Sequence, residues 1–144
     1  MPGPEPRTGY RGAVPFTLAL SVILAVVAVF QAALALAAPL GRFAWGGEHR
    51  ILPPRLRVGS ALSIVVYALI VTVAWNRVGA IDVFPPPVAE IAMWVVFAFF
   101  VLGGGMNAIS RSRAERVTMV PVTLVLAALS LLIAMGFGEL ATAI

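Results

Sequence analysis

The run FTLALSVILAVVAVFQAALALAAPL, Phe16 to Leu40, decides the fold class. It carries no charge over more than twenty positions, and a helix rising about 1.5 Å per residue needs about 20 apolar residues to cross a hydrocarbon core of about 30 Å. Three further runs read the same way: Val58 to Trp75, Val88 to Met106 and Val117 to Phe137. The expected architecture is therefore all-α: a polytopic membrane protein with four transmembrane helices in an antiparallel bundle, since the connections are short. Breakers and charges set the boundaries. Pro15 and Pro39 flank the first run, Pro53 and Pro54 precede the second, Pro85, Pro86 and Pro87 precede the third, and the arginines from Arg111 to Arg116 precede the fourth.

Composition agrees with that class and excludes others. The 144 residues are 61% hydrophobic and only 11% charged, with a mean hydropathy of +1.02; a soluble domain carries about 25% charge. So short a chain cannot bury that much apolar surface inside itself, so the surplus must face lipid. The lack of cysteine excludes disulfide staples, thiolate metal sites and a cysteine nucleophile, and one histidine leaves neither a histidine metal cage nor a Ser/His/Asp triad. No cofactor and no metal are expected, and the chain reads as non-catalytic.

The Pro- and Gly-rich start, residues 1–13, reads as a disordered tail ahead of a membrane domain at 14–144. Arg7 and Arg11, followed by an apolar run ending in Ala33-Leu34-Ala35, imitate a secretory signal with its cleavage site. Length decides against it, because a signal core spans about 7 to 15 residues.

All ten basic residues are arginine. On alternate sides of the membrane, Arg7, Arg11 and Arg77 fall on one face and Arg42, Arg50, Arg55, Arg57, Arg111, Arg113 and Arg116 on the other. The positive-inside rule then puts the first and third loops in the cytoplasm and both termini outside. Arginine-only basic usage with Ala, Val, Gly and Pro richness looks like the coding bias of a high-GC bacterial genome, so a bacterial plasma membrane is expected. With the acids counted, the inner face carries +5 and the outer face −1, together the formal +4. Phe43 and Trp45 fit the inner interface, and Tyr10, Trp75 and Phe84 the outer one. A pI near 11.1 would suggest nucleic acid for a soluble protein; here the basic charge is this inner collar, and nucleic-acid binding is rejected.

Within the spans, helices are expected to meet along small residues. Ala25, Ala28, Ala32 and Ala35 form one face of the first helix; Gly59 with Ser63, the Gly103-Gly104-Gly105 run, and Ser130 with Ala134 offer close approaches elsewhere. Gln31, Ser63 and Thr123 fall at about one depth and form a candidate polar layer, either interhelical glue or part of a transport path. The chain is similar in length and helix count to the small multidrug resistance transporters. Those rely on a glutamate in the first helix, where this chain has Gln31, which does not titrate.

The first inner loop, Trp45-Gly46-Gly47-Glu48-His49-Arg50-Ile51-Leu52-Pro53-Pro54-Arg55-Leu56-Arg57, and the stretch Asn107 to Ser112 resemble segments of small multi-helix membrane proteins of high-GC Gram-positive bacteria. That resemblance implies the fold and brings no activity. The antiparallel hairpins carry both inner loops to one face, so Glu48, His49, Arg50, Arg55, Asn107 and Arg111 form a candidate site for an anionic lipid headgroup, with arginine forks on phosphate oxygens. The partners expected are anionic inner-leaflet lipids and either further copies of the chain or a partner membrane protein. A small transporter or channel around Gln31 is the alternative.

Overall fold

A computed structural model describes residues 8–136. Four helices account for most of it: α1 (Thr8–Ala35), α2 (Pro54–Arg77), α3 (Pro86–Ala108) and α4 (Arg113–Ala134). All four contain a stretch long and apolar enough to span a bilayer, beginning at Ala13 in α1. The chain is a multi-pass membrane protein with an all-helical bundle, and among the described residues there is no strand.

Two hairpins build the bundle. α1 lies along α2 and α3 lies along α4, these being the two most extensive contacts. The pairs join through α1 against α4 and α2 against α3, which closes a ring of four. The packed interior comes from one stripe of each helix. In α1 it is Ala13, Thr17, Leu20, Leu24 and Leu34, spaced three or four apart or in multiples of that step. Outward-facing Val22, Val26 and Val29 are 62–71% exposed, the surface that lipid solvates. Between α2 and α3 an apolar groove of about 320 Å³ runs past Leu69, Val73 and Phe99.

The interior stripe of α1 differs from the expected alanine seam. Ala25 is exposed, and Ala28, Ala32 and Ala35 are half-buried. Larger leucines are buried because the helices are held apart by full-sized side chains, with Met93, Phe100, Leu126 and Ile133 filling the same core. Small residues do meet α4 along α3, where a Cβ on Gly104 would lie 3.5 Å from Thr123 Cγ2. The glycine run stays helical through to Ala108.

Boundaries shift in physically legible ways. Pro15 lies inside α1 rather than before it, one of two in-helix prolines with Pro121 of α4. The helix begins at Thr8, so it takes in part of the expected tail; residues 1–7 lie outside the described set. At its other end α1 stops before Pro39. Ala38 N–H bonds Ala33 O at 2.9 Å and Ala37 N–H bonds Leu34 O at 3.1 Å, with Ala37 at φ 69°. Those two bonds and a left-handed residue make a Schellman stop. α2 ends identically, with Ala80 N–H on Trp75 O, Gly79 N–H on Asn76 O, and Gly79 at φ 89°.

The loop between α1 and α2 contains two short 3₁₀ turns, Gly41–Phe43 and Trp45–Gly47, and folds back over the end of the bundle. Gly41 N–H donates to Arg50 O at 2.8 Å and closes it into a ring. A Cβ on Gly41 would stand 1.7 Å from His49 O, so only glycine fits.

Candidate functional site

Where that loop meets α4, Ser112 caps the helix: its Oγ accepts the N–H of Glu115 at 3.3 Å. Ser112-Arg113-Ala114-Glu115 is a capping-box sequence, in which the glutamate ordinarily returns to the cap residue's own N–H. Here the return is relayed. Ser112 N–H donates to Ser110 Oγ, and Ser110 Oγ donates to Glu115 Oε2. The same Oε2 accepts Gly46 N–H at 3.1 Å from the loop. The helix dipole favours an acid in this first turn. Glu115 is 7% exposed, and among the described residues no basic side chain pairs with it.

The loop is fastened at two further points. Trp45 Nε1 donates to Ser60 Oγ of α2 at 3.1 Å, and Ser112 Oγ donates to Arg42 O. Gly59 makes room for the indole: a Cβ there would come within 2.8 Å of Trp45 Cζ2. The loop thus lies against the start of α4, with Ser112 and Glu115 making the contact.

Beneath it is a cavity of about 180 Å³ walled by all four helices and the loop. Along α4 it reaches from Glu115 to Leu126, about 16 Å at the helical rise. Aromatic rings form much of the wall: Phe30, Phe43, Trp45, Tyr67, Phe99 and Phe100. The polar residues are Gln31, Tyr67, Asn107, Thr123 and Glu115, and no arginine lines it. Gln31 Nε2 donates to Tyr67 Oη at 3.4 Å. Asn107 Nδ2 donates to Thr123 Oγ1 at 2.9 Å, and Thr123 Oγ1 donates in turn to Met119 O at 2.6 Å.

Two members of the expected polar layer, Gln31 and Thr123, therefore share this cavity. Ser63 does not line it; its Oγ donates to Gly59 O within α2, because a serine in a helix finds its own carbonyl four residues back within reach. Of the expected headgroup cluster, Glu48, Arg50, Arg55 and Arg111 are exposed and His49 is half-buried, all at this end of the bundle. Asn107 points away from them, into the bundle. Arg57 and Arg116 serve the fold instead: Arg57 Nε donates to Ala35 O at the end of α1, and Arg116 donates to Ser110 O. Arg57 so satisfies one of the last carbonyls of α1 and suits its dipole, whereas Arg116 ties the turn that follows α3.

Glu115 and Tyr67 are site residues that residue-type counting alone passes over. The capping-box spacing was the available signal for Glu115; nothing in the sequence aims Tyr67 at Gln31. Among the described residues no group of three or more His, Asp or Glu converges as a metal site would require. The chain matches no protein-family model, no curated protein and no solved structure.

Proposed function

We propose that this multi-pass membrane protein is non-catalytic and resides in a bacterial plasma membrane, with the α1–α2 and α3–α4 loops cytoplasmic and both termini outside. It works as a homo-oligomer or as an accessory subunit of a partner membrane protein, its arginine-rich end held on anionic lipid. One observation carries this reading: Arg42, Arg50, Arg55, Arg111 and Arg113 are all exposed at one end of the bundle. An arginine beside an anionic leaflet contributes about 1 kcal/mol, so five make a substantial anchor. Single cysteines replacing exposed Glu48 and Asp82 test the orientation, since the chain has no native thiol. Impermeant reagent reaching position 48 but not 82 in intact cells would reverse it. Replacing His49 and Arg50 together with alanine should weaken retention of anionic phospholipid in native mass spectrometry; unchanged retention removes that pair from the lipid contact.

A second reading, a small transporter or channel around Gln31, is favoured by the cavity that contains this residue. Its test is flux into proteoliposomes that Gln31→Ala abolishes.

A further inference from the structure

We propose that the cavity under the arginine-rich loop is a binding site for a small organic monocation, an aromatic ring bearing a primary ammonium group. The inference goes beyond the lipid-facing reading and does not depend on it.

Hydrogen-bond accounting gives the sign of the ligand. Glu115 takes both its bonds on Oε2, which leaves Oε1 uncommitted. Gln31 Oε1 is buried without a partner among the described residues, and Asn107 spends only its Nδ2, leaving Oδ1. Of these three only Gln31 Oε1 is a buried acceptor with no donor, a situation that costs about 1–3 kcal/mol. Glu115 Oε1 and Asn107 Oδ1 are acceptors with capacity to spare, so a ligand that supplies N–H groups gains bonds at both. The two amides also keep N–H groups and by themselves suit either kind of ligand. Glu115 breaks the tie: it is the sole charged group in the lining, and it is an anion.

Shape and wall chemistry give the rest. A cavity of about 150 Å³ accommodates benzene; the 180 Å³ here leaves room for a ring and a short arm. Phe30, Trp45 and Phe100 are among the lining residues, and aromatic rings both attract a cation and pack an aromatic body. A lipid acyl chain would leave the acceptors unpaired, and an anion would meet Glu115 with no lining arginine to offset it.

The test is calorimetric titration of the full chain, in nanodiscs of phosphatidylcholine with empty discs subtracted, using phenethylammonium and the matched anion 3-phenylpropionate. The zwitterionic lipid keeps headgroup binding out of the measurement. Phenethylammonium should bind saturably, one per chain, and 3-phenylpropionate should not. Glu115→Gln keeps an oxygen for Gly46 N–H but loses the charge, and should weaken binding by about tenfold or more; Gln31→Leu, remote from the loop, should weaken it by about fivefold. If Glu115→Gln fails to fold, Gln31→Leu and the cation-to-anion comparison decide. No saturable signal, equal or tighter binding of 3-phenylpropionate, or affinity unchanged by both substitutions would overturn the proposal.

Discussion

The two ends of the bundle close in opposite ways. At the α2–α3 end, one side chain ties a short loop: Asn76 Oδ1 accepts Val83 and Phe84 N–H at 2.7 Å each, and its Nδ2 donates to Phe84 O at 3.1 Å. Beside it Arg77 donates to Ala134 O at the end of α4, and Trp75 Nε1 donates to Ser21 Oγ. At the arginine-rich end a long loop needs left-handed residues at Trp45, Gly46 and Gly47 and a buried carboxylate to seat it. Unpartnered atoms occur at both ends, Arg77 Nε and Ser130 Oγ at one and Gln31 Oε1 at the other. Only Gln31 lines the cavity. The elaborate loop closure leaves a largely aromatic hollow with a few polar groups beneath it, whereas the economical closure ties the α2–α3 loop through a single side chain.

That contrast can be broken one end at a time. Gly41→Ala should have the largest effect, about 3 kcal/mol in thermal melting in detergent, because the added carbon collides with backbone rather than with a side chain that can move. Hydrogen exchange should rise across residues 41–50 and stay unchanged across 78–85. Asn76→Ala should do the reverse: two loop N–H groups lose their acceptor, at about 2 kcal/mol, and exchange rises in 78–85 alone. Both ends share a Schellman stop, filled by Gly79 at one and Ala37 at the other. Gly79→Ala should therefore cost about 1 kcal/mol while Ala37→Gly gains about the same, opposite signs for the same geometry. Ser63→Ala should change the melting temperature least, within about 0.5 kcal/mol, since its hydroxyl only returns to its own helix. A loss well beyond that would restore Ser63 to the polar layer.

Much of the fold was legible from run length alone, because the bilayer imposes a fixed span and four runs meet it. Ends were legible where proline stood at them, as at Pro54 and Pro86. The Ala37 stop was not, since alanine rarely adopts that conformation. The inward face of α1 was misread because small residues are a signal of close approach only when the neighbouring helix is also small at that height; here Leu20, Leu24 and Leu34 fill the gap. For the site, depth counting found Gln31 and Thr123, since depth depends on sequence position within a span. It also took in Ser63, which shares the depth but does not line the cavity, because depth says nothing about rotation around the helix axis. Glu115 was counted as a loop charge, although the Ser112 spacing set it inside the first helical turn.

The in-helix prolines bear on how the protein floats. Pro121 has no N–H, so the carbonyl of Val117 loses the helical donor it would otherwise have; Pro15 does the same for the carbonyl of residue 11. Such a carbonyl is tolerated among hydrated headgroups and is costly among acyl chains. Residue 11 lies in the first turn of α1 and Val117 in the opening turns of α4, at opposite ends of the antiparallel bundle. In a bilayer each would act as a waterline mark. Together they would resist vertical sliding in either direction, so a thicker bilayer would have to thin around the protein rather than draw it inward.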